Sequence, residues 1–134
     1  MNFSKFSKIS LLVFTFASLS ASATKVEFTT SHGNFTVNLH DETTPITVNN
    51  FLKYINDDDY NNTVVHRVVP DFVMQAGGFE FTGNLPLTAI PTDSSITNEP
   101  VYSNVRGTIA MAKVGGNENS ATNQWFVNLS DNSG

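Results

Sequence analysis

The sequence contains no cysteine among its 134 residues. Disulfide bonds, thiolate metal sites and thiol chemistry are therefore excluded, and the folded chain has to be stabilised by its hydrophobic core. Its three histidines, His32, His40 and His66, do not follow a metal-ligand spacing such as His-x-x-x-His. We therefore expect no metal site.

Positive charge is also scarce. The chain has 7 Lys and Arg against 12 Asp and Glu, which gives a formal net charge of −5 at pH 7, and no cluster of basic residues occurs. Because a protein that follows a phosphate backbone needs a basic face, nucleic-acid binding is not expected. The 11 phenylalanines and the hydrophobic fraction of 40% instead fit a single globular domain.

The longest apolar run lies close to the N-terminus. Lys5 and Lys8 precede the apolar residues 9–19, and Ala21-Ser22-Ala23 offers small residues where a signal peptidase cleaves. The run is shorter than the about 20 residues that a membrane-spanning helix needs. The pattern predicts a signal peptide that ends at Ala23; the alternative is an N-terminal core or anchor helix. We expect an exported protein with no membrane attachment after cleavage, periplasmic in a cell with two membranes.

The predicted organisation is a signal peptide over residues 1–23 and one domain over residues 24–134. The domain opens with alternating apolar and polar residues over 25–30 and 35–39, a pattern that predicts a β-hairpin. A helix follows, with Thr44 as its predicted N-cap and an apolar stripe at i, i+3, i+4 and i+7.

The rest of the domain alternates between short extended segments and loops. The predicted strands are 63–69, 72–75, 108–112 and 125–129, and residues 79–95 are predicted to be a long loop. Many short strands with one early helix indicate a mainly β protein, either a β-barrel or a related α+β domain.

Three segments, in a fixed order, carry a family resemblance. They are VHRVVPDFVMQAGG at 65–78, GTIAMA at 107–112 and NQWFVN at 123–128. Together they resemble the signature of the cyclophilins, which are peptidyl-prolyl cis-trans isomerases, and the resemblance extends over residues 25–132. It implies an antiparallel β-barrel with a helix capping each end and a ligand groove on its outer surface.

The resemblance also implies which residues act. Arg67 would be the catalytic residue, acting on the proline nitrogen of the substrate. The substrate-binding residues would be Phe72, Val73 and Phe126 around the proline ring, Gln75 and Gln124 holding the substrate backbone or Arg67, and Ala112 and Lys113 along the extended peptide. Rotation about the peptide bond needs no nucleophile, metal or cofactor. The implied partners are proline-containing unfolded or partly folded proteins, bound by a monomer.

Some positions depart from the family pattern. Ala76 stands where glycine is usual, which matters if its φ is positive. Trp125 replaces phenylalanine, and by alternation with Phe126 it should face away from the pocket. His66 is expected to be a hydrogen-bonded structural histidine, since no hydroxyl nucleophile accompanies it.

The chain ends in the loop after the predicted strand 125–129. By resemblance we expect that the closing strands, the second helix and part of the pocket are missing, so that the domain is incomplete at its C-terminus. The leading functional hypothesis is a prolyl isomerase that assists protein folding. The alternative is a proline-peptide binding or chaperone-like domain without catalysis, and a third hypothesis is an unrelated secreted β-domain.

Overall fold

The computed structural model describes residues 23–134, so all of the predicted signal peptide except Ala23 lies outside the described residues. Within this range the chain forms one helix among short strands. In chain order the elements are β1 (Lys25–Thr30), β2 (Gly33–Asn38), α1 (Pro45–Asn56), β3 (Arg67–Val69), β4 (Val73–Ala76), β5 (Phe79–Glu80), β6 (Thr88–Ala89), β7 (Ile109–Met111) and β8 (Trp125–Asn128).

The described strands pair into three antiparallel sheets. β1 pairs with β2, β5 pairs with β6, and the other strands form a four-stranded sheet in the order β3-β4-β8-β7. The predicted mainly β fold with one early helix is thus confirmed. Over residues 23–134, however, β3 and β7 remain edge strands of their sheet, and closure into a barrel stays a prediction.

The first hairpin forms as predicted, with a tighter turn. β2 begins at Gly33 rather than at Phe35, because Gly33 already pairs with Thr30. Gly33 adopts φ +117°, a region open to glycine and unfavourable for residues with a Cβ. The Phe28 and Phe35 rings then face each other across the hairpin and stack with centroids 4.5 Å apart.

The core lies between the hairpin, the helix and one face of the four-stranded sheet. Alternation along the strands points Ala76, Met111 and Trp125 to this face, and each is at most 9% exposed. Phe28 of the hairpin places its ring centroid 5.0 Å from that of Trp125 and 6.2 Å from that of Phe51 on the helix. Burying each such aromatic side chain contributes up to about 3 kcal/mol, so this contact joins all three layers.

The helix buries the stripe that its sequence predicts. α1 begins at Pro45, whose fixed φ suits a first helical position. Val48 and Phe51 are buried, while Leu52 and Ile55 are partly buried against the core. The predicted period of 3.6 residues is therefore confirmed.

Thr44 occupies the N-cap position as predicted, but the expected capping by its side chain is wrong. Thr44 makes no side-chain cap hydrogen bond, and its hydroxyl donates backwards to the His40 carbonyl at 3.1 Å. The free N–H groups of the first turn are satisfied by Glu99, from a loop far along the chain. Its carboxylate accepts hydrogen bonds from the backbone nitrogens of Ile46 at 3.2 Å and Thr47 at 2.8 Å. A sequence-local capping pattern cannot reveal a partner from so distant a segment.

Two further predictions need correction. The segment 79–95 is not entirely loop, since β5 and β6 pair within it. The predicted strand 63–69 shortens to β3, with one isolated bridge between Thr63 and Glu80. Strands of two or three residues carry too few alternations to show a period, so pairing with a neighbour decides where they form.

Two kinds of feature are missing from the part of the chain that the structure describes. No helix within residues 23–134 has both the length and the apolar character to cross a membrane. No group of three or more His, Cys, Asp and Glu side chains in the same residues is placed so that it could hold a metal ion.

Glu99→Gln is expected to lower the free energy of unfolding by about 1 kcal/mol at neutral pH, because α1 loses a charged acceptor at its first turn. Burial by itself would raise the pKa of Glu99, but the hydrogen bonds from Thr47 and Ile46 outweigh it and lower that pKa below the ordinary value. In the unfolded chain a glutamate carboxyl has its ordinary pKa of about 4.3. Glu99 therefore stabilises the fold fully above this pH, and its contribution is lost as the pH falls through the lower folded pKa.

Denaturant unfolding at neutral and at stepwise lower pH measures this difference. Glu118→Gln is the matched control, because Glu118 is exposed and makes no side-chain hydrogen bond to another described residue. A difference between Glu99→Gln and the unaltered protein that stayed constant down to acidic pH would contradict the capping role.

Candidate active site

One row of residues crosses the four-stranded sheet on the face away from the core. Arg67 of β3 lies opposite Gln75 of β4, Gln75 lies opposite Phe126 of β8, and Phe126 lies opposite Ala110 of β7. Directly opposed residues point to the same side of a sheet. The register therefore places a guanidinium, an amide and an aromatic ring side by side, although they are far apart in the sequence.

Two glutamine side chains fix the guanidinium. Arg67 donates from Nη1 to Oε1 of Gln75 at 3.3 Å. Gln75 in turn donates from Nε2 to Oε1 of Gln124 at 2.7 Å. Since both ends of the Gln75 amide are engaged, the amide cannot turn over without losing a hydrogen bond. Gln75 thus contacts Arg67 directly and Gln124 reaches it only through Gln75; that these glutamines hold the substrate backbone or Arg67 stays a prediction.

Phe72 approaches the guanidinium from another side. It lies in the turn between β3 and β4, where Asp71 adopts φ +58°, and its ring centroid is 5.6 Å from Cζ of Arg67. A guanidinium at this distance from an aromatic face gains a cation–π attraction of about 0.5–1 kcal/mol at an exposed site. Phe72 remains 43% exposed, so its ring is both a neighbour of Arg67 and an open apolar surface.

The charge of Arg67 is not neutralised by the protein. Within the described residues the only side-chain ion pairs join Lys53 to Asp57 and, at 2.9 Å, to Asp93. Arg67 is exposed, and its side-chain partner is the neutral Gln75. Its other N–H groups therefore face solvent, where they can donate to a bound molecule.

Val73 and Phe126 differ in how they contribute. Val73 precedes Gln75 by two residues on β4 and shares its face of the sheet, but it is only 3% exposed and so offers little open surface. Phe126 is half-buried and lines a cleft that also includes Ala110 and Lys113, together with side chains of residues 97–100 and 102–104. Arg67 and Phe72 do not line this cleft, so Phe126 lies between the guanidinium and the cleft.

Ala112 and Lys113 lie at the far end of the candidate site. The Ala112 N–H donates to the carbonyl of Gln124 at 2.8 Å and so extends the β7–β8 ladder. Lys113 is exposed, and its Nζ is 3.4 Å from Oδ1 of Asn98 across the cleft. The structure brings these two residues close to Gln124 and Phe126, but not to Arg67.

The departures from the family pattern have structural outcomes. Ala76 lies in β4 and does not have a positive φ, so no backbone strain arises there. Trp125 is 5% exposed and points to the core, which confirms that it faces away from Phe126.

His66 packs edge-on against Phe79 with centroids 4.9 Å apart. Its buried Nδ1 has no hydrogen-bond partner within residues 23–134, so the prediction of a hydrogen-bonded histidine is wrong at this nitrogen.

Asn128 is a supporting residue that the sequence analysis did not single out. It is 1% exposed and opposes Val73 in the sheet. Its Nδ2 donates to Oγ1 of Thr108 at 2.9 Å, and its Oδ1 accepts from Nδ2 of Asn132 at 2.9 Å. Asn132 also donates to the Phe72 carbonyl at 3.0 Å. Alternation places Asn128 on the same face as Phe126, away from the core, so the sequence carried no local signal that this side chain is buried.

The chemistry of the surface around Arg67, Phe72 and Phe126 limits which ligands it can bind. It presents a fixed planar cation with free donors next to exposed and half-buried aromatic rings. Such a surface suits a neutral ligand with an apolar ring and a weakly basic atom or carbonyl beside it.

Comparison with known proteins assigns the class. The family model described as cyclophilin type peptidyl-prolyl cis-trans isomerase/CLD matches residues 25–134. The chain belongs to this family. The described fold is similar to a crystal structure of a cyclophilin type peptidyl-prolyl cis-trans isomerase from Cryptosporidium parvum in the presence of the dipeptide Ala-Pro. The TM-score is 0.67 at 22% sequence identity, over 82% of this chain and 70% of that one.

Bacterial relatives are closer in sequence. A peptidyl-prolyl cis-trans isomerase of Acinetobacter baylyi is 41% identical over 109 residues, which covers 81% of this chain and 56% of the relative. Peptidyl-prolyl cis-trans isomerase A of Dickeya dadantii is 40% identical over 124 residues, 92% of this chain and 64% of the relative. Peptidyl-prolyl cis-trans isomerase B of Escherichia coli is 41% identical over 107 residues, which covers 80% of this chain and 63% of the relative. The chain thus spans between 56% and 64% of the length of these relatives.

Asn128→Ala is expected to lower the free energy of unfolding by about 2 kcal/mol, because it removes a buried amide together with its hydrogen bonds to Thr108 and Asn132. Thermal and denaturant melts measure the loss. Asn117→Ala, at an exposed loop position, is the control and should cost less. Equal stability of Asn128→Ala and the unaltered protein would contradict the supporting role.

Proposed function

We propose that this protein catalyses cis-trans isomerisation of the peptide bond that precedes proline. The observation that carries the proposal is the Arg67 guanidinium, held by the amide of Gln75 and flanked by the Phe72 ring. The names of the relatives support the same reaction, since each is called a peptidyl-prolyl cis-trans isomerase.

The chemistry of the peptide bond that precedes proline explains why a fixed arginine can catalyse its rotation. Amide resonance imposes a barrier of about 18–20 kcal/mol, so uncatalysed prolyl isomerisation takes tens to hundreds of seconds. Proline nitrogen carries no hydrogen, which leaves its lone pair open to a donor. A hydrogen bond from Arg67 to that lone pair withdraws it from resonance and stabilises the twisted amide. A stabilisation of about 7 kcal/mol confined to the twisted state would accelerate rotation roughly 10⁵-fold.

The guanidinium suits this role better than other donors. It stays charged at all physiological pH values and presents its donors in one plane. Because the Gln75 amide is neutral, it orients Arg67 without cancelling the charge. No bond to the substrate forms or breaks in a rotation, so this reaction asks for no nucleophile and no cofactor.

The substrate class follows from the surfaces around Arg67. The proline ring would contact Phe126 and Phe72, above the buried Val73, and the peptide would extend along the cleft towards Ala112 and Lys113. These surfaces contact the ring and the main chain, so they favour exposed proline-containing segments of unfolded or partly folded proteins over one defined sequence. We infer that the protein assists folding and that it acts as a monomer.

Arg67→Ala is expected to reduce kcat/KM for an Ala-Pro peptide by about 10²–10³, because the donor to the twisted amide is lost. Arg67→Lys should also be impaired, since an ammonium keeps the charge but lacks the planar fork. Arg106→Ala, which removes the chain's other arginine outside the site, is the matched control and should retain activity. A protease-coupled or NMR exchange assay measures the rates, and thermal melts verify that each variant folds.

Near-normal turnover by folded Arg67→Ala would overturn the mechanism. Peptide binding without turnover in the unaltered protein would instead favour the non-catalytic binding domain. Phe126→Ala separates binding from catalysis, since loss of the ring should weaken binding of both the ground state and the twisted state.

We also propose that the protein is exported and processed after Ala23. Support comes from the residues flanking the predicted cleavage position. The Thr24 nitrogen donates to Oδ2 of Asp41 at 2.7 Å. After cleavage this nitrogen would be an α-ammonium, and the hydrogen bond would become an ion pair. Hydrogen bonds from Thr24 already lower the pKa of the Asp41 carboxyl below its ordinary value, so the acid is ionised and ready to pair.

Mass spectrometry of the protein recovered from the exported fraction should find Thr24 as the first residue. Replacing Ala21 and Ala23 by bulky residues should block processing, because signal peptidase reads small residues there. Recovery of an exported protein that still carries Met1 would refute the proposed cleavage.

A further inference from the structure

Gly78 occupies a position where a side chain cannot fit. It is buried in the two-residue link between β4 and β5, and a Cβ built on it would come within 2.8 Å of Cγ and Cδ and 2.9 Å of Nε2 of Gln124. Real Cβ atoms do not approach other atoms this closely. The Gln124 side chain therefore lies directly against the Gly78 backbone, in the space that any other residue would fill.

The conformation of Gly78 does not itself require glycine. Gly77, its neighbour, has φ +80° and lies against Trp125 and the Asn123 carbonyl, so both its backbone and the core demand glycine. Gly78 has no such positive φ. The three atoms nearest to its Cβ position all belong to the Gln124 side chain. The absence of a side chain at Gly78 thus serves the placement of Gln124.

We propose that Gly78 is a positioning residue for Arg67, acting through Gln124 and Gln75. The bare backbone of Gly78 seats the Gln124 amide where its Oε1 accepts from Gln75 at 2.7 Å. Gln75 then keeps its own Oε1 turned towards Nη1 of Arg67 at 3.3 Å. The effect on catalysis rests on the proposed isomerase function, whereas the chain of contacts does not.

A methyl group at Gly78 would disturb the contacts that run from Gln124 through Gln75 to Arg67. The backbone at Gly78 is held, because its carbonyl accepts from the Ile90 nitrogen at 3.1 Å. The atoms that collide belong to a flexible side chain, so Gln124 moves while the strands stay paired. Gln75 then loses its acceptor and its amide is free to rotate. Arg67, whose contact to Gln75 is already long, loses the orientation that the twisted amide needs.

The test compares Gly78→Ala with Gly115→Ala. Gly115 is the matched control, since it lacks a positive φ and a Cβ there meets no atom within 4 Å. Gly78→Ala should lower kcat by about 10- to 100-fold with KM nearly unchanged, as expected for a small misplacement of a catalytic group. Gly115→Ala should stay within about twofold of the unaltered protein. Gly78→Ala activity within the same limit would overturn the proposal.

A double-mutant cycle with Gln124→Ala identifies the route. If Gly78 acts through Gln124, adding Gly78→Ala to Gln124→Ala should cost less than about twofold in kcat. A full additional loss in the double variant would show a different cause and overturn the proposal. If Gly78→Ala alone does not fold, the double variant should fold, because the colliding atoms are gone; failure of both to fold would equally overturn it.

A readout that does not need activity separates this proposal from the proposed function. The side-chain amide resonances of Gln75, followed by NMR, should shift in Gly78→Ala and not in Gly115→Ala. Inactivity of the unaltered protein would refute the isomerase function, and the Gln75 resonances would still decide whether Gly78 seats Gln124. Unchanged Gln75 resonances in Gly78→Ala would overturn the positioning role.

Discussion

The register of the four-stranded sheet is the constraint on which the rest of the structure depends. It sets Arg67 against Gln75 and Gln75 against Phe126 on one face, and it turns Trp125 to the other face. Because side chains alternate along a strand, a slip of one residue would exchange the two faces. Trp125 would then leave the core and Phe126 would leave the candidate site. Burial of Trp125 therefore keeps Phe126 on the face that carries Gln75 and Arg67.

Within that frame, neutral groups do most of the positioning. Gln75 and Gln124 orient the guanidinium through amide hydrogen bonds, and Phe72 borders it with an apolar ring. A carboxylate in place of Gln75 would bind Arg67 more strongly, but it would neutralise the charge that a twisted amide needs. An exposed arginine fixed by amides keeps both its orientation and its full charge.

The loops are tied to the strands and the helix by single polar side chains from distant segments. Glu99 satisfies the first turn of α1, and Asn128 with Asn132 secures the chain around Phe72. Glu99 satisfies backbone nitrogens that would otherwise be unpaired at the start of the helix, and the buried Asn128 amide is itself satisfied by its hydrogen bonds to Thr108 and Asn132. The candidate site is thus supported from outside the sheet as well as by its register.

The sequence by itself determined the composition of the core, the helix with its apolar stripe, the first hairpin and the family. Periodicity and contiguous motifs carry this information locally. Only the tertiary structure decided the pairing of the two-residue strands and the capping of the first turn of α1 by Glu99 instead of the Thr44 side chain. It also decided that Gly78 makes room for Gln124. Each of these depends on a contact between segments distant in the sequence, and no local pattern specifies which distant group arrives.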